Sequence, residues 1–282
     1  MIASMAAFSM EDSLVKIVSK SLPVSEILIL FGFGGAMVFA TLAVSNGERL
    51  FSPDVVSPPM LIRVLFEITG RLFYILAISL ASLSSATVIL QATPLVVVAG
   101  AAIIFGERVG WRRWMAIFTG MIGVVVIIRP GADSFSVLSI LAVIGMLGFA
   151  GRDLASRAAP VSLSASILGL YGFLSVVVAG GLFSLWEARP FAWPTNEVAL
   201  YLFGAIAAGV VAYGCLMKAM RTGEVSAVTP FRYTRLLFGV ALGVLVFGEN
   251  LDLPMLLGMG LIVVSGLFIM WRGNRVISAN RS

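Results

Sequence analysis

The chain alternates long apolar stretches with short breaks that are polar or contain Pro and Gly. Ten of the stretches reach about 20 residues, the length that a helix needs to cross the hydrocarbon core of a bilayer. Pro and Gly mark most boundaries, as at Pro58-Pro59 and Arg129-Pro130-Gly131. The ten predicted helices occupy residues 1–22, 24–44, 60–80, 84–105, 112–128, 135–156, 162–185, 196–221, 224–247 and 253–271. This pattern predicts an all-α membrane protein with ten transmembrane helices.

The composition excludes several kinds of soluble domain, metal site and catalytic site. Of the 282 residues, 60% are hydrophobic and 12% are charged, whereas a soluble domain has about 25% charged residues. Ten spans therefore leave no room for a sizeable soluble domain. The chain has no His and a single cysteine, Cys215, which excludes a His–Cys zinc site, an intramolecular disulfide and His-based catalytic pairs. We predict a protein that is not an enzyme and that needs no metal and no cofactor.

The net charge of +5 indicates membrane topology rather than nucleic-acid binding. With both termini placed inside, eleven Lys and Arg residues fall on the inner side and three, Lys20, Arg129 and Arg189, on the outer side. Positive residues collect on the cytoplasmic side of membrane proteins. Both termini are therefore predicted to be cytoplasmic, in a bacterial-type inner membrane. The first helix lacks a positively charged start and a small-residue cleavage site, so we expect it to be retained.

A repeated motif divides the chain into halves. Phe105-Gly106-Glu107 ends predicted helix 4, and Phe247-Gly248-Glu249 ends predicted helix 9, 142 residues later. Each motif follows an apolar helix that contains a proline. Because five is an odd number, two five-helix copies would cross the membrane in opposite orientations, as in transporters that bind substrate between inverted repeats. We predict a first repeat over residues 1–131, a second over 132–273 and a cytoplasmic tail over 274–282.

The order of these motifs resembles the drug/metabolite transporter superfamily, in its ten-helix form with two EamA-type repeats. The residues that carry the resemblance are Ala92-Thr93-Pro94, Phe105-Gly106-Glu107-Arg108, Arg129-Pro130-Gly131, Thr229-Pro230-Phe231-Arg232-Tyr233 and Phe247-Gly248-Glu249. The resemblance covers essentially the whole chain. It implies a central cavity lined by helices 1, 3, 4, 6, 8 and 9, with helices 5 and 10 at the periphery. One departure is Arg235, which stands where the first copy has Thr93, so the substrate side of helix 9 is expected to be particular to this chain.

Charged residues within the spans are the candidates for a binding site, because such groups are costly in hydrocarbon and face a cavity or a partner. In helix 3, Arg63, Glu67 and Arg71 follow each other at spacing four and share one face. They form either a self-neutralising ladder that ties helix 3 to its neighbours or a contact with substrate. In helix 9, Arg232 and Arg235 suit a carboxylate, which belongs either to the substrate or to Glu67 or Asp12.

Other polar residues complete the predicted site. Asp12 and Lys16 are four residues apart, so they could pair within helix 1, and Asp12 is alternatively a proton relay. The predicted substrate-binding residues are Arg63, Glu67, Arg71, Gln91, Tyr213, Arg232, Tyr233 and Arg235. The predicted coupling or gating residues are Asp12, Lys16, Arg152 and Asp153. We expect these charges to meet in one interior, with Glu67 as the main partner of the arginines.

The sequence therefore predicts a secondary transporter that moves a small organic metabolite across the inner membrane by alternating access. A cavity with both acids and arginines suits a zwitterion and favours export of an amino acid or an amino-acid-like compound. The alternative is uptake or exchange of an anionic, vitamin-like or nucleotide-like metabolite, since the intramembrane charges are predominantly basic. A membrane scaffold or an intramembrane enzyme is a remote alternative. The expected partners are the substrate and the bilayer, with no nucleic acid, with proton coupling as an option, and with the protein as a monomer or weak homo-oligomer.

Overall fold

A computed structural model of the chain describes residues 1–106, 110–128, 138–160, 162–222 and 229–279, and these residues form helices and no strand. Short 3-10 turns lie at Pro53–Val56 and Thr229–Tyr233. The α-helices are α1 (Ile2–Val18), α2 (Val24–Ser45), α3 (Pro58–Leu80), α4 (Leu83–Leu90), α5 (Thr93–Ile104), α6 (Trp111–Ile128), α7 (Leu138–Ala158), α8 (Ala165–Glu187), α9 (Asn196–Thr222), α10 (Thr234–Phe247) and α11 (Leu253–Ala279). The predicted all-helical class is confirmed.

Among the described residues, five segments are long and apolar enough to cross a membrane: Val24–Ser45, Leu83–Ile104, Leu138–Ala158, Ala165–Glu187 and Asn196–Leu216. Shorter apolar stretches lie in α6, over Trp114–Ile127, and in α11, over Leu253–Ile269. The helices α1 and α3 are not among these segments: α1 has 17 residues, and each of the two helices carries three charged residues in the predicted site region. In a bilayer those charges need partners inside the bundle, so α1 and α3 are the helices on which the site depends.

Predicted helix 4 is not continuous. The helix α4 ends at Leu90, Gln91 and Ala92 form a turn, and α5 begins at Thr93 with Pro94 in its first turn. The span predicted over 84–105 is confirmed as Leu83–Ile104, but the prediction that it is one continuous helix was wrong. The cause is Pro94, which has no N–H to donate and whose ring clashes with the carbonyl group four residues before it.

Predicted helix 9 also begins irregularly. A 3-10 turn over Thr229–Tyr233 contains Pro230 and precedes α10, while residues 224–228 lie outside the described part of the chain. The two halves thus interrupt their fourth helix near a proline. Interrupted helices of this kind line the binding sites of secondary transporters, where the freed backbone groups face a cavity rather than lipid.

The helices α3 and α7 approach each other closely through glycines. A Cβ atom added to Gly148 would clash with the backbone of Gly70, and one added to Gly145 would lie 2.9 Å from the Tyr74 nitrogen. Residue numbers rise along α3 while they fall along α7, so the two helices are antiparallel. Small residues permit such close contact between membrane helices, and the contact brings the charged face of α3 against α7.

Other helix pairs in contact within the described residues include α2 with α8, α1 with α9, α6 with α11, and α4 with α10. Counted in predicted helices, with α4 and α5 together as helix 4, the set of these pairings and that of helices 3 and 6 is unchanged when each helix is exchanged with the one five places along, since the pair of helices 3 and 6 becomes the pair of helices 8 and 1. In both Phe-Gly-Glu motifs the glycine takes a left-handed conformation that ends a helix, with φ of 66° at Gly106 and 64° at Gly248. These features support the predicted duplication, while the inverted relation of the halves stays a prediction.

Candidate functional site

A cavity lies between α1, α3, the α4–α5 break, α7, α8, α9 and the start of α10, and it encloses about 930 Å³ of space, part of it open to solvent. The residues that line it are Met5, Phe8, Glu67, Arg71, Leu90, Gln91, Thr93, Pro94, Phe149, Arg152, Gly172, Phe173, Val176, Gly209, Tyr213, Leu216, Arg232 and Arg235. The predicted contribution of helices 1, 3, 4, 6, 8 and 9 agrees with this lining.

The helix α8, which is predicted helix 7, also reaches the cavity, through Gly172, Phe173 and Val176. The resemblance had not implied a contribution from this helix. Its middle faces the cavity because α8 packs against both α2 and α3. Aromatic packing fixes that position, since the ring of Phe173 lies 5.5 Å from the ring of Phe39 on α2.

Six of the eight predicted substrate-binding residues lie on the cavity wall: Glu67, Arg71, Gln91, Tyr213, Arg232 and Arg235. Arg63 and Tyr233 are not among the lining residues. Arg63 is 2% exposed and donates from Nε to Ser156 Oγ at 3.0 Å and from Nη2 to the Leu168 carbonyl at 3.2 Å. It ties α3 to α7 and α8, which is the structural alternative for this residue. Tyr233 is buried with its ring against Gly266 of α11.

A first group of charges, the α7 cluster, joins α3, α7 and the start of α10. Arg152 lies 3.3 Å from Glu67 Oε1 and 2.8 Å from Asp153, and Arg232 lies 3.3 Å from the other oxygen of Asp153. Arg63 lies 3.6 Å from Glu67 Oε2. Arg152 and Asp153, predicted as a gating pair, are thus bonded to each other, and only Arg152 lines the cavity.

The prediction that Glu67 is the main partner of the arginines holds for Arg63, 3.6 Å away, but not for Arg232 or Arg235. The carboxylate of Glu67 also contacts Arg152, which had not been predicted as its partner. The reason is the antiparallel contact between α3 and α7, which places Arg152 directly opposite Glu67. Asp153, the neighbour of Arg152 on α7, takes Arg232.

A second group of charges, the α1 cluster, connects α1 to α3 and α10. Glu11 lies 2.8 Å from Arg71. Asp12 accepts from Arg235 at 2.7 Å and from the Tyr74 hydroxyl at 3.0 Å. The alternative in which Arg235 pairs with Asp12 across the halves is confirmed, and it joins the first half of the chain to the second.

The predicted pair between Asp12 and Lys16 does not form. Asp12 is 2% exposed and turns toward α3 and α10, whereas Lys16 donates to the Ala81 carbonyl at 2.6 Å and lies 3.3 Å from Glu249. A pair along one helix gives only a small stabilisation. Partners on neighbouring helices therefore decide the geometry, and Lys16 lies away from the cavity.

Aromatic rings hold three of the guanidinium groups at the cavity. Arg71 lies 4.8 Å from the centre of the Phe31 ring, Arg152 lies 4.8 Å from that of Phe149, and Arg235 lies 4.9 Å from that of Phe8. Such contacts stabilise a cation over the face of a ring. Ion pairs and rings together place these arginines in fixed positions, as recognition of an anionic group requires.

The charges that reach the described cavity wall are unequal: four guanidinium groups and one carboxylate, that of Glu67. The carboxylates of Glu11, Asp12 and Asp153 neutralise arginines from behind and are not among the lining residues. A cavity of this kind favours a ligand with at least one carboxylate or other anionic group, because guanidinium groups bind such oxygens by charge-assisted hydrogen bonds.

Sequence reasoning missed several residues of the site. Glu11 was not among the predicted site residues, although two adjacent acids, Glu11 and Asp12, in an apolar helix were a usable signal. The wall residues Phe8, Phe149 and Phe173 gave no signal, because the chain has 19 Phe residues and an apolar helix presents them on every face. Gly172 gave no signal either, since the role of a glycine depends on which side chains of other helices lie opposite it.

The comparisons with known proteins agree with this architecture. The model of the EamA-like transporter family matches residues 1–129 and 137–271. The S-adenosylmethionine uptake transporter of Rickettsia bellii (strain RML369-C) is 24% identical over 98% of this chain and 93% of its own length. A riboflavin transporter of Vibrio cholerae is 32% identical over 64% of this chain and 60% of its own length. The pseudopaline exporter CntI of Pseudomonas aeruginosa is 26% identical over 92% of this chain and 90% of its own length.

A crystal structure of a protein with 18% sequence identity superposes with a TM-score of 0.63 and covers 94% of this chain and 96% of its own. It supports the fold alone. The apolar helices, the charged cavity and the two family matches define an integral membrane protein of the metabolite transporter class. The chain belongs to the EamA-like transporter family.

Proposed function

We propose that the protein is a secondary transporter that binds an amino acid or an amino-acid-like metabolite in the central cavity and exports it by alternating access, without catalysing a reaction. The observation that carries the proposal is the cavity wall, with four guanidinium groups and one carboxylate. A zwitterion places its carboxylate against the arginines and still has a partner for its amine. The residues that would bind it are the six predicted site residues on the wall: Glu67, Arg71, Gln91, Tyr213, Arg232 and Arg235.

A second candidate is uptake or exchange of an anionic metabolite, or of a vitamin-like or nucleotide-like metabolite that carries a planar ring. Two observations favour it. The wall carries the aromatic side chains of Phe8, Phe149, Phe173 and Tyr213, and aromatic faces bind flat rings. Similar proteins are named for S-adenosylmethionine uptake and for riboflavin. Proton coupling through the carboxylates of the α1 cluster belongs to either candidate.

The substrate class is tested with the purified full chain in proteoliposomes. Separate batches of vesicles are each preloaded with one compound. The compounds are L-amino acids, S-adenosylmethionine, riboflavin and a dicarboxylate such as succinate. We expect saturable counterflow of at least one amino-acid-type compound, and none in vesicles without protein. Counterflow of riboflavin or succinate alone would support the second candidate. If no compound moves, or if flux rises linearly with concentration as in a pore, both candidates fail.

The proposal includes a membrane orientation. We propose two inverted repeats, residues 1–131 and 132–273, with both termini in the cytoplasm of a bacterial-type cell and the protein in its inner membrane. We expect a green fluorescent protein fused to the C-terminus to fluoresce and an alkaline phosphatase fused there to be inactive, because the phosphatase needs the oxidising periplasm. Phosphatase fused after Arg189, in the predicted outer loop between α8 and α9, is the matched control and should be active. The opposite pair of results would contradict the orientation.

A further inference from the structure

Glu67 has a buried oxygen atom that no hydrogen bond satisfies. The residue is 6% exposed and supplies the one carboxylate among the described cavity-lining residues. Its Oε1 accepts from Arg152 at 3.3 Å, whereas Oε2 has no hydrogen-bond partner. The nearest cation to Oε2 is Arg63, at the long distance of 3.6 Å. A buried acceptor without a donor is unfavourable, so this atom is a place where a ligand can supply what the protein does not.

A glycine faces this oxygen. A Cβ atom added to Gly172 on α8 would lie 3.8 Å from Glu67 Oε2 and 3.5 Å from Arg63 Nη2. Both are ordinary van der Waals distances. Gly172 itself lines the cavity. The missing side chain therefore leaves a space of about one methyl group beside the unsatisfied oxygen.

Arg63 borders that space with its Nη2, but the hydrogen bonds of its guanidinium group are made to other residues. Its Nε donates to Ser156, and its Nη2 donates to the Leu168 carbonyl and, at 3.4 Å, to the Tyr213 hydroxyl. The arginines that face the cavity cannot receive a cationic group. The described wall thus offers a positively charged part of a ligand one anionic acceptor, and that acceptor is Glu67.

We infer that Glu67 Oε2 binds the ammonium group of the substrate and that Gly172 limits the size of the substituents on its nitrogen. The inference rests on the proposed function and deepens it, since it assigns a zwitterion with a primary amine rather than a simple anion. The carboxylate of the same ligand lies against the arginines. Gly172 is then a residue that determines specificity without making a polar contact.

The experiment compares the twenty standard L-amino acids with their N-acetyl derivatives, using the full chain in proteoliposomes and counterflow as the readout. For each amino acid that is transported, we expect N-acetylation to weaken apparent affinity at least about tenfold, because it removes the charge and adds bulk. In Glu67→Gln this preference for the free amine should fall by at least about threefold, because the contribution of charge is lost while that of bulk remains. Equal affinity for the two forms in the unsubstituted protein would overturn the inference.

Gly172→Ala tests the size limit and does not depend on the folding of a charge variant. An alanine fits without a clash, so we expect transport of the free amino acid to fall no more than about threefold, while its N-methyl derivative loses at least about tenfold more, roughly the effect of a methyl group that no longer fits. Gly181→Ala on the same helix is the matched control, because nothing lies within 4 Å of a Cβ atom there. Equal losses for both compounds would overturn the role of Gly172.

The outcome separates the inference from the proposed function. If riboflavin or succinate is transported but no amino acid is, the ammonium site is wrong, while a carboxylate- or ring-binding transporter stands. If amino acids and their N-acetyl forms are transported equally, the ammonium site is wrong and the amino-acid proposal stands. If none of these compounds moves, both fail together.

Discussion

Arg235→Ala is expected to lower transport at least about tenfold and more strongly than it lowers the amount of folded protein. Arg235 lines the cavity, and it bonds at 2.7 Å to Asp12, which is 2% exposed. Removal of one partner leaves a buried charge without its counter-ion, which costs about 3–5 kcal/mol for a fully buried pair. Transport by reconstituted protein, normalised to protein that elutes as a single species from gel filtration, measures the two effects separately.

A double substitution distinguishes a substrate contact from a structural tie. Asp12→Asn combined with Arg235→Ala removes both charges, so thermal stability should recover relative to Arg235→Ala alone. Transport should stay low if Arg235 binds substrate. Arg189→Ala, at an exposed position outside the cavity, is the matched control and should change neither quantity. Transport at the unsubstituted rate by the double variant would mean that these charges only hold the helices together.

The arrangement of helices could be read from the sequence because lipid imposes a simple rule. Every span must satisfy its own backbone hydrogen bonds, so a long apolar segment is a helix. The break in predicted helix 4 could also have been predicted from the sequence. Pro94 was noted as part of a motif, and its missing N–H is a local property that does not depend on neighbouring helices. The error lay in the assumption that a span is continuous.

The sequence could predict the partners of the charged residues only in part. The energetic rule that buried charges need each other predicted that the residues would meet, and Arg235 does meet Asp12. The rule does not say which pairs form. Glu67 contacts Arg152 because glycines at positions 70 and 148 bring α3 and α7 together at one particular register. Register arises from packing along the whole helix, so a list of charges cannot supply it.

The partners of Glu249, which belongs to a repeated motif, could likewise not be predicted from the sequence. The sequence marked Phe247-Gly248-Glu249 as a helix end, and the left-handed Gly248 confirms it. The glutamate itself lies against another helix. Its two carboxylate oxygens accept the backbone N–H groups of Leu83, at 2.7 Å, and Ser84, at 2.8 Å, in the first turn of α4. Free N–H groups at a helix start are a ready site for a carboxylate.

The contacts of Glu249 join the two halves at the end of α1, away from the cavity. Lys16 lies 3.3 Å from this carboxylate and donates to the Ala81 carbonyl just before α4. Met5 and Phe8, the cavity residues of α1, come from the first half of that helix. Glu249, Lys16 and the start of α4 therefore form a tie between the end of α10 and the first half of the chain.

The charge of Glu249 should make this tie depend on pH. Burial alone would raise the pKa of Glu249, but the hydrogen bonds from Ser84 and Leu83 and the charge of Lys16 outweigh it and hold the pKa below its usual value of 4.5. A pKa that is lowered by folding gives stability that is complete above the unfolded value and is lost as the pH falls through the folded value. The stabilisation should therefore be complete at pH 7 and weaken below pH 4.5.

Glu249→Ala should lower the stability of the purified protein by about 1–2 kcal/mol at pH 7, the range for loss of a helix cap. Thermal unfolding in detergent measures this, and the difference from the unsubstituted protein should shrink as the pH is lowered through the acid range. Glu249→Gln keeps one acceptor oxygen, so its stability should lie between that of the unsubstituted protein and that of Glu249→Ala. Glu197→Ala is the matched control, because Glu197 is exposed at the start of α9 and accepts a hydrogen bond from Tyr201 one turn along the same helix. If Glu249→Ala unfolds at the unsubstituted temperature at every pH, the motif serves only to end its helix.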